Sequence, residues 1–389
     1  MSRRRVVVAL ATALTGVLLL AACSGGGGGT AGGSGDTIKI GFMGDLTGEN
    51  SGLVMPQWNA AKMAVDEYNA TNPPRRVELV RYDSQGSPDQ AVPLAQQAVQ
   101  QDRIVGLIGP GFSGESRAVG PILEEAGIPS VSPSATNPAL AQNGWRYWHR
   151  VVASDAEQGP AIVDFLTRVR NPARAFVISD DQEYSVGLAD AAFAAFQQRG
   201  VQVERDQFAQ GASDYSSTVA RVRAFNPDVV VYGGYYPQAG RLLKQLRDNG
   251  VTALFASGDG SLDPGIISGA GQQAAEGAIL ACPCNIPYGA TEGRLGDFSR
   301  RYREATGTDP AIYATEGYDA ATLFLNAIRE GHTTPDAINT YLSSASLDGV
   351  SKQISFKPNG EPNATAIFVY QVTNGQIVLL GQTSEATLS

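Results

Sequence analysis

The sequence predicts an α/β protein of two lobes, each a parallel sheet covered by helices on both faces. Three observations predict it. From Thr37 onward, short β-branched runs alternate with stretches whose apolar residues recur three to four apart. The alternation runs to about Ser132 and restarts near Ala156. Roughly 355 residues follow the N-terminal leader, which is long for one core and suits two.

The elements follow in order. Residues 38–43 read as a strand. Residues 54–69 read as a helix, with Trp58, Ala61, Val65 and Tyr68 on one face. Residues 77–82 are a strand, 89–101 a helix, 104–108 a strand, 113–126 a helix and 129–132 a strand. Such alternation is the signature of a parallel sheet with crossover helices. In the second series, 156–169, 187–199, 215–225 and 238–249 are helical, and 175–179, 201–206, 228–232 and 253–256 are strands. Helices over 295–305, 311–329 and 335–344 come next, then strands over 351–356, 365–371 and 376–380.

The leader sets the compartment. Arg3, Arg4 and Arg5 precede an apolar run over 6–20, with small residues after it, as in a secretory signal. The run is short for a membrane span. Leu20-Ala21-Ala22-Cys23 resembles the lipobox of bacterial lipoproteins. That resemblance implies removal of residues 1–22 and a lipid on the Cys23 thiol, with 23–36 as a flexible Gly/Ser linker. The alternatives are an uncleaved anchor or an ordinary secretory signal. The expected location is the extracytoplasmic face of the cell membrane, by lipid anchor.

Charge and cysteine usage narrow the function. The net charge is -9, and loss of the leader arginines takes it to about -12, which disfavours nucleic acid. In an oxidising exterior Cys282 and Cys284 are a candidate disulfide, the alternative being two free thiols. With two histidines in the chain, no metal site is expected, and no cofactor either.

Two loops of the first series offer hydrogen-bond donors. Gly109-Pro110-Gly111-Phe112-Ser113-Gly114 matches G-x-G-x-x-G between a strand and a helix. It sits on the third strand, Pro110 removes a donor, and residues 130–134 carry no acid for a ribose, so a dinucleotide is not expected. A helix N-terminus after glycines still suits a carboxylate, and Ser113 adds a hydroxyl. The segment 132–138, with Ser134, Ala135 and Thr136, is the second such loop. The second series instead ends its strands in acids and phenols: Asp180 to Tyr184, Tyr232 to Tyr236, and Asp259. One half suits an anion and the other a cation, so a zwitterion satisfies both.

These residues carry a resemblance. Tyr82-Asp83 with Pro88 to Val92, Leu107-Ile108-Gly109, Thr136 with Pro138, Gln158-Gly159-Pro160, Tyr184 with Gly187, Tyr232 to Tyr235, and Ala275-Glu276-Gly277 occur in one order. In that order the chain resembles the branched-chain amino acid solute-binding lipoproteins of ABC transporters, type I periplasmic binding proteins. The resemblance implies two Rossmann-like lobes joined by a three-crossover hinge: 37–153 plus 284–361, and 154–283 plus 362–389. The crossovers are expected near 153–155, 281–284 and 361–364, which would put Cys282-Pro283-Cys284 in a hinge strand.

It also implies roles. Ser113 and Ser134, Ala135 and Thr136 would hold an amino acid's carboxylate. Asp259 would receive the ammonium, beside Tyr184 and Tyr235, with Tyr313 as a pocket wall. Leu53 stands where the family has an aromatic contact, and aspartate stands at 259 where it often has glutamate. The implied partners are ABC permease subunits and a membrane, the receptor itself a monomer.

Rival readings are an enzyme, a same-fold receptor for urea, a short amide or an aromatic acid, and a receptor coupled to a sensor kinase. Gly111-Phe112-Ser113-Gly114-Glu115 is not G-x-S-x-G, His149 between Trp148 and Arg150 reads as structural, and His332 after Gly331 reads as a cation at a helix end. No enzyme is expected.

Overall fold

The computed structural model describes residues 37–388. The expected leader, Cys23 and the linker to residue 36 lie outside the described residues.

The first sheet begins with β1 (Ile38–Gly44), α1 (Ser51–Ala70), β2 (Val77–Asp83) and α2 (Pro88–Gln97). Ser87 caps α2 through its hydroxyl, and Pro88 takes the first turn, where its missing N–H costs nothing. Next come β3 (Leu107–Ile108), α3 (Ser113–Ala126), β4 (Ser130–Ser132) and β5 (Trp148–Arg150). The strand order is β2-β1-β3-β4-β5, every pair parallel.

The chain then enters a second layer. Its elements are α4 (Asp155–Arg170), β6 (Arg174–Asp180), α5 (Glu183–Gln198), β7 (Gln202–Phe208), α6 (Ser216–Phe225) and β8 (Val229–Tyr232). Then follow α7 (Tyr236–Asp248), β9 (Leu254–Ser257), α8 (Gly265–Ala270), α9 (Gln272–Ala275) and β10 (Ile279–Cys282). After β10 the chain returns to the first lobe with α10 (Gly293–Thr306), α11 (Ala314–Arg329) and α12 (Pro335–Ser344). A small ribbon pairs β11 (Leu347–Asp348) with β12 (Gln353–Ile354). A third passage leads to β13 (Phe368–Thr373) and β14 (Gln376–Gln382). The second sheet is ordered β14-β13-β10-β9-β8-β6-β7, with β13 and β14 antiparallel additions to a parallel core. Two sheets and three passages are the two-lobed architecture with a three-crossover hinge.

Some boundaries differ from expectation. The strand expected from residue 104 begins at Leu107, because Arg103 is left-handed (φ 56°) and turns the chain first. β5 was not predicted: three residues, two of them His149 and Arg150, show no hydrophobic period. β10 ends at Cys282, since Pro283 has no N–H to continue a ladder. Cys282 and Cys284, both buried, are joined by a disulfide across that proline.

Two contacts align the first lobe with the cleft. α1 and α11 pack so closely that a Cβ on Gly317 would meet the Gln57 backbone at 2.6 Å. Arg150 is fully buried. Its guanidinium pairs with Glu361 on the third passage and donates to the carbonyls of Ala135 and Asn137, both at 3.0 Å. Among the described residues no helix is long and apolar enough to cross a membrane.

Candidate ligand-binding site

Carboxyl ends of parallel strands are where open α/β sheets place ligands. Loops after β3 and β4 of one sheet here meet loops after β6, β8 and β9 of the other. Ser113 opens α3, and a helix leaves its first amides unbonded with a positive dipole end. The Phe112 N–H is already taken by the Glu115 carboxylate at 3.0 Å. Ser113 Oγ accepts from the Asn137 N–H at 3.2 Å. Ser134 Oγ donates to the Gly111 carbonyl at 2.7 Å and accepts from Gln57 Nε2 at 3.1 Å.

Asp259 lies opposite, in a single 3₁₀ turn after β9. Its Oδ1 accepts from the Tyr184 hydroxyl at 2.9 Å and from Gln158 Nε2 at 2.7 Å. Its Oδ2 accepts from the Tyr313 hydroxyl at 2.7 Å. The Tyr184 oxygen in turn accepts from the Gly260 N–H at 2.9 Å. Gln158 Nε2 also donates to Asp155 Oδ1 at 2.9 Å, so one amide nitrogen bridges two carboxylates. Burial raises the pKa of both acids, and the charge of Asp259 raises that of Asp155 further. Arg150 eases Asp155, but that guanidinium is committed to Glu361. Asp155 Oδ2 and the neighbouring Thr136 Oγ1 are buried and fall short of hydrogen-bond geometry.

Aromatic rings complete the enclosure. Tyr235 stands 5.0 Å from Tyr184 and 4.9 Å from Phe112, centroid to centroid. Ser113, Ser134, Tyr184, Tyr235, Asp259 and Tyr313, all expected, line one small, nearly closed cavity. Ala135 and Thr136 are not among its walls. The Ala135 N–H is bonded to Ser132 Oγ at 3.0 Å, and the Thr136 carbonyl accepts from the Asp155 N–H at 2.9 Å. Leu53, Gln57, Phe112 and Gly260 also line the cavity.

The sequence reading had not assigned Gln57, Phe112, Asp155 or Gln158 to the site. A glutamine on the apolar face of α1 was the one available signal for Gln57. An acid at the start of α4 reads as an ordinary dipole partner.

Residues 37–376 match the profile of a family described as Periplasmic binding protein. The chain belongs to that family. The binding protein is 29% identical over 342 residues to the amino acid binding protein of Pseudomonas aeruginosa, covering 86% of this chain and 90% of that one. It is 33% identical over 283 residues to the leucine-specific-binding protein of Salmonella typhimurium, covering 72% and 71%. The crystal structure of a leucine binding protein from Thermotoga maritima matches it with a TM-score of 0.82 at 30% identity, covering 89% of this binding protein and 98% of that chain. The family comprises solute-binding proteins and not enzymes, so the enzymatic reading falls.

Proposed function

We propose that this binding protein is an extracytoplasmic receptor for an α-amino acid with an aliphatic side chain, branched-chain in the first instance. It passes its ligand to the permease of an ABC importer. The lobes, 37–153 plus 284–361 and 154–283 plus 362–389, close on the ligand about the three passages. Cys23 carries the lipid that keeps the monomeric receptor at the membrane.

One observation carries the reading. Asp155 and Asp259 are buried beside each other with hydroxyls and an amide as partners and, among the described residues, no side-chain cation free to pair with them. Buried carboxylates are costly without a counter-charge. An ammonium entering the cavity supplies that charge beside Asp259, which lines it. On the other lobe the α3 N-terminus, Ser113 and Ser134 receive a carboxylate. Leu53, Phe112 and Tyr235 leave an apolar space for the side chain. A buried leucine side chain contributes roughly 1.5–3 kcal/mol, while micromolar binding needs about 8. The two charged ends therefore supply most of the affinity.

A thermal-shift screen of the protein tests this. Ligands that bind only the folded state raise its melting temperature. The panel holds amino acids, urea, short amides and aromatic acids. Shifts with leucine, isoleucine or valine are expected. Shifts with urea, amides or aromatic acids alone would overturn the reading.

A further inference from the structure

Most of the cavity wall is already committed in this reading. Ser113 and Ser134 face the carboxylate end, and Asp259 holds the hydroxyls of Tyr184 and Tyr313. The apolar remainder is Leu53 and the rings of Phe112 and Tyr235. Beyond those rings lies a second, wider cavity between the lobes. Gly86, Pro88 and Arg117 of one lobe and Gln182 and Gln210 of the other help to line it. Phe112, Tyr184 and Tyr235 line both cavities. The Phe112 and Tyr235 rings, one from each lobe and 4.9 Å apart, stand with Tyr184 where the two spaces adjoin.

We infer that Phe112 is a specificity-determining residue, whose ring closes the inner cavity and limits the ligand to short or branched aliphatic side chains. The inference rests on the α-amino acid reading above. Tyr235 is held between Tyr184 and Phe112. The Phe112 ring leans over Gly86, where a Cβ would lie 3.4 Å from Cε2. Its backbone role is separate from its ring: Glu115 accepts from the Phe112 N–H whatever side chain stands there. Truncation therefore spares the start of α3 and joins the two cavities. A longer, unbranched side chain then reaches the outer space, where Gln182 and Gln210 offer hydrogen bonds to a polar end.

The test is calorimetric binding of valine, leucine, methionine and glutamine to the wild type, Phe112→Ala and Phe112→Leu. The wild type is expected to favour valine or leucine. In Phe112→Ala the affinity ratio of methionine to valine should rise roughly tenfold, the worth of about two newly buried methylenes. Phe112→Leu, the milder change should Phe112→Ala not fold, should move the same way by less. A ratio unchanged within about twofold in every folded variant would overturn the role of Phe112 while leaving the α-amino acid reading intact. A wild type that binds none of the four would overturn that reading and this inference together.

Discussion

The Tyr313 hydroxyl donates to Asp259 Oδ2 across the cleft, joining the start of α11 in one lobe to the turn after β9 in the other. Tyr313 holds a left-handed backbone (φ 60°), a conformation that costs a bulky residue about 1–3 kcal/mol. The packing of α11 on α1 holds it there, and the result is a phenol aimed at the acid. Tyr313→Phe leaves that oxygen without its donor. Ligand affinity should fall roughly tenfold, within the about 1–3 kcal/mol range for an unsatisfied buried group. Calorimetry on the variant measures it, and an unchanged affinity would show the bond to be incidental to closure.

Asp155 and Asp259 predict how binding responds to pH. Burial raises both, so each holds its proton to higher pH than a free carboxyl. An arriving ammonium favours the ionised form and lowers them again, so binding releases protons. Affinity should rise with pH through the raised carboxylate range and then level off. Asp155→Asn removes one of the two charges and should flatten that rise. A pH series of dissociation constants for both proteins reads it out.

Stability has its own pH dependence. Glu115 is fully buried beneath the Phe112 amide and accepts from the Ser84 hydroxyl, and burial pushes its carboxyl up to about 7. The folded state therefore keeps a proton that the unfolded chain sheds near 4.5. This contribution to stability is lost as pH rises from about 4.5 to about 7. Asp319, pushed up to about 6 by burial, acts in the same direction. His149 opposes them: burial pushes it down to about 4, so its contribution grows as pH rises from about 4 to 6.5. In Glu115→Gln the melting temperature should slope more steeply upward, or less steeply downward, between about pH 5 and 7. Identical slopes in the two proteins would contradict the assignment.

A contact outside the cavity lining also joins the lobes. The Tyr236 hydroxyl donates to the Glu49 carbonyl at 2.7 Å, and Arg241 approaches the Glu49 carboxylate at 3.3 Å. Neither residue lines the ligand cavity. Both stabilise the closed arrangement, so their loss lowers apparent affinity by the fraction of closed form lost. Tyr236→Phe should weaken binding about threefold to tenfold, the worth of one partly exposed hydrogen bond. Its ranking of ligands should match the wild type. A reordered ranking would place Tyr236 in the site instead.

The fold was legible because each βα pair announces itself by period. The Ser113 and Asp259 loops were legible because strand ends rich in donors, acids and phenols are unusual together. Residues that act from behind were not. Gln158 fell within a motif but carried no signal that its amide would bridge Asp155 to Asp259, the latter 101 residues further along the chain. Asp155 looked like a helix-start acid. Arg150 sits on a strand too short to show a period, and its burial depends on Glu361, 211 residues later. Phe112 reads as one aromatic among glycines until the two lobes are brought together.

The cleft clamps a zwitterion, and calorimetric binding of leucine, leucinamide and 4-methylpentanoate to the protein tests both of its charged ends. Leucine should bind, and the amide, which lacks the carboxylate, and the acid, which lacks the ammonium, should each bind at least about a hundredfold more weakly, since each leaves one charged end of the site without its partner. Comparable affinity for all three would contradict it.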